Sequence, residues 1–128
     1  MEEWYNLFIN NHMTLPMPKR VPELGFYYHY KHDSSGSINN YAYEVVGVGF
    51  HTEESREGEE HFVIYRPLYE SSVYKASKTF NIPCFDNRPL EMWMGDVEIN
   101  DKITKRFTKI TDIEVIKELE KIKNEMYS

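Results

Sequence analysis

Three short runs constrain this chain more than anything else in it: GFYYHYK (Gly25 to Lys31), YAYEVVGVGFH (Tyr41 to His51) and HFVIYRPLY (His61 to Tyr69). Each alternates large rings or β-branched residues with polar or small ones. Such side chains suit a pleated, half-buried surface, and a period of two sends neighbours to opposite faces. The pattern predicts strands. In the first run Phe26, Tyr28 and Tyr30 share one face while Tyr27, His29 and Lys31 share the other. In the second, Gly47 and Gly49 lie on one face, which implies a sharp bend or the close approach of another backbone. In the third, Phe62, Ile64, Arg66 and Leu68 oppose Val63, Tyr65 and Tyr69, and Pro67 favours an edge or a bend.

The segments between these runs read as turns. DSSGSINN carries Ser, Gly and Asn, which supply local hydrogen bonds and positive φ. TEESREGEE, with five glutamates around Gly58, reads as a solvated hairpin loop. Upstream, Trp4, Leu7 and Phe8 are spaced i, i+3, i+4 and fit a short amphipathic helix, followed by a proline-rich arm, TLPMPKRVPELG. Downstream, ESSVYKASKTFNIPCFDN has no clean period and reads as an excursion from the sheet. A fourth strand is expected from Leu90 to Val97, with Leu90, Met92 and Met94 on the core side and Glu91 with Trp93 on the other. Trp93 is then expected to lie under the excursion, through Val73, Tyr74, Phe80, Ile82 and Phe85, or open in a ligand face. Asn100 and Asp101 suit a tight hairpin turn. Finally TDIE is a capping box with Thr111 as cap and Glu114 three residues on, opening a stripe of Ile113, Ile116, Leu119, Ile122 and Met126 that predicts a helix from Asp112 to about Met126.

Together these elements predict a mainly β domain: a small antiparallel barrel or rolled sheet, with a short N-terminal helix and a C-terminal amphipathic helix. The organisation expected is a helix and proline-rich arm over 1–24, a β-barrel domain over 25–110 and a helix over 111–128. At 128 residues the chain has room for one ordinary domain. Its net charge of −6 repels the phosphate backbone that dominates nucleic-acid affinity, which argues against duplex nucleic acid as a partner. Cys84 is the single cysteine, so an intramolecular disulfide is excluded and a reducing compartment is the natural setting. With no signal-peptide pattern and no run long enough to span a membrane, the expectation is a soluble, cytoplasmic protein.

At this point the residues resemble a family of small bacterial proteins, domain of unknown function 1653. The resemblance rests on Gly25, Tyr27, His29, Tyr30 and Lys31; on Tyr43, Glu44 and Val45; and on His51, Thr52 and Glu53. It continues in order through Ile64, Tyr65, Arg66, Leu68 and Tyr69, then Arg88, Pro89, Met92 and Trp93, and ends at Arg106 and Phe107. It covers Gly25 to about Ile110. Pro67, Glu70, Asp86 and Asn87 depart from the family's pattern, three loops look enlarged, and both terminal helical pieces lie outside it. The resemblance implies a compact barrel similar to SH3-like domains and assigns no activity.

Two readings stand for Tyr27, His29 and Lys31. They hydrogen-bond and snorkel across neighbouring strands, or they form a ligand face of rings, a titratable imidazole and a fixed cation. Arg66 and Arg88 each sit in or beside an apolar run and need partners, for which Glu44 and Glu91 are the candidates. An exposed guanidinium fork would suit a carboxylate or phosphate. His29, His51, Glu53 and His61 lack metal-ligand spacing, Cys84 has no base beside it, and there is no phosphate-binding glycine loop, so neither a metal nor another cofactor is expected.

The function that follows is a non-catalytic binding module holding a peptide, a protein segment, a small ligand or a single-stranded nucleic acid on an aromatic and basic face. Its candidate site residues are Tyr27, His29, Lys31, Tyr65, Arg66, Tyr69 and Arg88. One alternative is a small enzyme with His29 or His51 as base, Glu44 or Glu53 orienting it and Arg66 or Arg88 steadying negative charge. Another is a structural protein forming a homodimer through Trp4, Phe8 and the C-terminal stripe.

Overall fold

Alternation along the tyrosine-rich runs builds a sheet whose two faces are both covered. A computed structural model describes residues 17–53 and 60–128. The expected N-terminal helix and most of the acidic loop lie outside the described residues. In chain order the elements are β1 (Gly25–His29), β2 (Ala42–Phe50), β3 (His61–Pro67), α1 (Ser72–Phe80), β4 (Asp86–Pro89), α2 (Leu90–Trp93), β5 (Asp96–Ile99), β6 (Lys102–Lys105), β7 (Phe107–Lys109) and α3 (Ile113–Tyr127). Five strands form one antiparallel sheet in the order β4-β3-β2-β1-β7, and β5 with β6 forms a separate hairpin. The fold is mainly β with flanking helices. β4 and β7 are edges that do not pair with each other, so the sheet is open and no closed barrel forms among the described residues.

Phe26, Ala42, Leu68 and Ile110 pack on one face against Leu119 of α3. Tyr27, Val45, Val63, Tyr65 and Phe107 pack on the other with Leu90 and Trp93. A bulge between Val45 and Gly47 adds one residue to β2, so that Val45 pairs with Tyr65 and Gly47 with Ile64. Of the two readings for Gly47 and Gly49, close approach of a backbone is not seen, while the bulge at Gly47 fits the other, a bend. A Cβ on Gly47 would have nothing within 4 Å, and one on Gly49 would lie 3.3 Å from the Ile64 side chain.

Three local expectations are overturned. The excursion contains a helix, α1: Ser71 Oγ accepts from Tyr74 N, and Asn81 closes the other end in the left-handed region at φ 53°. The strand expected over Leu90 to Val97 ends before it starts. Its apolar residues also fit a helical turn, and α2 puts Leu90 and Trp93, three apart, into the same core while Met92 faces solvent. Trp93, 2% exposed, is therefore covered by Tyr27, Tyr65 and Phe107, not by the excursion, whose Phe80, Ile82 and Phe85 remain exposed. The third concerns the C-terminal helix, whose cap is Asp112, accepting from the amides of Glu114 and Val115, not Thr111. Ile113 is consequently 68% exposed, and α3 packs through Val115, Ile116, Leu119, Ile122 and Tyr127.

The β5–β6 turn does fall at Asn100 and Asp101, both at positive φ, as a two-residue turn matched to strand twist requires. No helix among the described residues is long and apolar enough to cross a membrane.

Candidate functional site

At one end of the tyrosine-covered face the core gives way to half-buried polar groups. His29, the last residue of β1, pairs in register with Phe107 of β7, and its ring meets the Phe107 ring edge-on at 5.1 Å. Tyr41, held at φ 51° where the chain enters β2, stacks on the imidazole at 5.6 Å. The backbone N–H of Lys31 donates to His29 Nδ1 at 3.2 Å. A neutral imidazole then carries its proton on Nε2 and offers it as a donor. Burial, reinforced by the charges of Arg88, Lys31 and Arg106, lowers the His29 pKa to about 4.

Arg88 enters from the edge strand β4. Its Nε donates to Tyr65 Oη at 3.2 Å, one terminal nitrogen lies 3.5 Å from Met92 Sδ, and the guanidinium is 5.6 Å from the Phe107 ring centre. Among the described residues it forms no ion pair, and Glu91, the expected partner, does not supply one. The Tyr43 and Tyr69 hydroxyls hydrogen-bond to each other, and burial raises the pKa of Tyr43, Tyr65 and Tyr69, keeping all three protonated. Burial also raises the Asp86 pKa, against the pull of Arg88. Arg106 sits between β6 and β7, where its amide donates to Gly95 O and its carbonyl accepts from Tyr30. Its Nε is buried without a hydrogen-bond partner among the described residues.

Of the residues expected to form a ligand face, His29, Tyr69 and Arg88 meet here. Tyr27 and Tyr65 do not form an exposed face: they are 7% and 5% exposed, with Tyr27 donating to Glu23 O and set edge-on to Trp93. They are core rings because the face that alternation assigns them to is covered by α2, which the sequence pattern did not reveal. Only the Tyr65 hydroxyl reaches the rim. Lys31 lies in the turn beyond β1, exposed, 6.0 Å over the Tyr30 ring. Arg66 lies on the opposite face, paired with Glu44 as expected at 2.7 Å and stacked 4.0 Å over Tyr127.

The expected catalytic set is not assembled. Glu44 is on the far face from His29, bonded to Arg66 and Lys123. His51 instead accepts from the Glu53 amide. Among the described residues no three His, Cys, Asp or Glu side chains come together as a metal site would require. Two cavities lie away from the rim. One, about 330 Å³, is bounded by α1, the Ile82 to Phe85 segment and Tyr127, and the other, about 560 Å³, lies between Met17 to Arg20 and α2.

Tyr41, Asp86 and Arg106 were not among the expected site residues. Tyr41 stands just outside a strand and Asp86 just inside one, so neither showed a partner in sequence. Arg106 is brought to His29 only by the pairing of β7 with β1.

The family described as Protein of unknown function (DUF1653) matches residues 25–109, and the chain belongs to it. A crystal structure of a protein belonging to DUF1653 from Bordetella bronchiseptica is similar at 23% sequence identity, covering 72% of this chain and 91% of that one with a TM-score of 0.47. No curated protein matches.

Proposed function

We propose that this chain is a non-catalytic binding module that holds a small ligand at the rim formed by His29, Tyr41, Tyr69 and Arg88. The observation that carries this reading is Arg88: a half-buried guanidinium among rings and hydroxyls, without a carboxylate partner among the described residues. A buried-side charge is costly unless compensated, and a ligand group is one compensation. Tyr41, exposed and stacked on His29, adds a flat surface. The rim spans few side chains, which favours a small molecule over an extended peptide or a nucleic-acid strand. A small enzyme is the weaker reading, since the His29 Nδ1 is occupied by a backbone N–H and no carboxylate among the described residues orients the ring.

The test is the thermal midpoint measured against a panel of small carboxylates, phosphates and neutral aromatic alcohols. At least one class is expected to raise it, and Tyr41→Ala is expected to remove that rise while leaving the ligand-free midpoint nearly unchanged. A panel without effect, or a rise that survives Tyr41→Ala, contradicts the assignment.

A further inference from the structure

The chain has a net charge of −6, yet residues 71–85 carry Lys75 and Lys78 and no Asp or Glu. The same stretch holds apolar side chains that neither core takes up: Phe80, Ile82 and Phe85 are exposed, the last two at 58% and 41%. Their exposure is fixed by hydrogen bonds. Ser77 Oγ donates to the Ile82 carbonyl at 2.9 Å and accepts from the Cys84 amide at 3.3 Å, while the Ile82 amide donates to the Ser77 carbonyl at 3.3 Å. These bonds tie the segment back onto α1 with Ile82 and Phe85 left outside, and a preformed apolar surface of this kind marks a contact site.

The cavity of about 330 Å³ beside it sets the scale of what is contacted, since that volume takes a small molecule. Ile82, Phe85 and Met126 line it with the rings of Tyr74 and Tyr127, and it shares no residue with the rim of His29, Tyr41, Tyr69 and Arg88. The two rings stand at 88°, which leaves no parallel slot between them for a flat ligand. Tyr127 is held by its hydroxyl on the Pro67 carbonyl and by Arg66 stacked at 4.0 Å. Arg66 also lines the cavity, but its Nε is taken by Glu44. Lys78 lines it too, 5.3 Å over the Tyr74 ring, and makes no ion pair among the described residues. No Asp or Glu side chain among the described residues lines the cavity, so an anion meets an uncommitted cation and no side-chain carboxylate at the wall. We propose that this cavity is a second binding site, independent of the rim, which takes a small aliphatic carboxylate, its apolar body against Ile82, Phe85 and Met126 and its carboxylate at Lys78.

Cys84, half-buried on the cavity wall and the single cysteine of the chain, reports occupancy. The experiment follows Cys84 alkylation by iodoacetamide and the backbone amide NMR signals of residues 77–85 in the full chain, titrated with octanoate, octan-1-ol and acetate. Octanoate is expected to slow the alkylation and shift the signals saturably, and acetate to do neither. Octan-1-ol is expected to bind about fivefold more weakly than octanoate, the preference that an exposed charge pair supplies. Lys78→Gln is expected to reduce octanoate to the level of the alcohol, and Ile82→Ser to weaken both about tenfold. Both side chains are exposed, and unchanged thermal midpoints check that both variants fold. Equal binding of octanoate and octan-1-ol, or octanoate binding that survives Lys78→Gln, overturns the carboxylate. Binding that survives Ile82→Ser but is lost in Tyr41→Ala places the ligand at the rim and overturns the second site. Protection of Cys84 that grows with protein concentration alone gives the surface to a second copy of the chain, and a set of compounds without effect on residues 77–85 removes the site altogether.

Discussion

Under α3, Glu44 meets Arg66 Nε and Lys123 Nζ, each at 2.7 Å, and Arg66 stacks over Tyr127, whose hydroxyl donates to the Pro67 carbonyl. On the opposite face Arg88, one strand away, ends against a tyrosine hydroxyl, a thioether sulfur and the Phe107 ring. Both arginines are half-buried and both come from strands of one sheet. On the helix-covered face the charges are closed upon each other and serve to pin α3 to the sheet. On the tyrosine-covered face they are gathered at a rim and left open. The same residue type therefore has a structural task on one face and, on the function proposed above, a recognition task on the other.

The largest expected effects lie in the two cores. Trp93→Ala should cost about 3 to 5 kcal/mol by chemical denaturation, since its ring is stacked on Phe107 at 3.5 Å and enclosed by Tyr27 and Tyr65. Leu119→Ala should cost about 2 to 5 kcal/mol by the same measurement, because α3 is anchored through it. A loss below about 1 kcal/mol at either position would mean that its face is not packed as described.

Glu44→Gln should cost about 1 to 3 kcal/mol, because it leaves Arg66 and Lys123 without the carboxylate they share. Denaturation at two salt concentrations checks that the loss is electrostatic.

A smaller effect separates the faces by pH. His29 holds its pKa near 4, below the ordinary 6.5, so the folded state binds fewer protons than the unfolded state between those values. The stability due to the neutral ring is full above about pH 6.5 and is lost as pH falls toward 4. Asp86, with its pKa raised, has the opposite sign: its contribution is full below its ordinary value of 3.8 and fades as pH rises. The thermal midpoint of the wild type should therefore fall between pH 6.5 and 4, and His29→Gln should flatten that part of the profile. An unchanged slope would place the titration elsewhere.

The alternation of β1, β2 and β3 made the sheet legible from sequence, and Glu44 with Arg66 was legible because both are charges on apolar strands. The covering of the Tyr27 face was not. Leu90, Met92 and Met94 fit a strand period as well as Leu90 and Trp93 fit a helical turn, and only the buried position of Trp93 decides between them. That single turn converts Tyr27 and Tyr65 from surface rings into core. The cap of α3 moved by one residue for a similar local reason, as Asp112 competes with Thr111 and accepts from two amides at once. The α1 helix went unread because it is only nine residues long, Ser72–Phe80, and the irregular segment after Asn81 masks its period. Arg106 and His29 are 77 positions apart in the numbering, and nothing short of the β1–β7 pairing brings them together.

The contrast between the two arginines is tested most directly by measuring the folding free energy of Arg66→Gln and Arg88→Gln side by side at neutral pH. Arg66→Gln is expected to destabilise the protein by about 1 to 3 kcal/mol, since it leaves the Glu44 carboxylate short of a partner. Arg88→Gln is expected to cost less, about 0.5 to 1 kcal/mol, since what it gives up within the protein is one hydrogen bond to Tyr65 Oη and no ion pair among the described residues. If Arg88→Gln costs as much as Arg66→Gln, the rim is part of the fold's own support and the division of labour between the two faces is wrong.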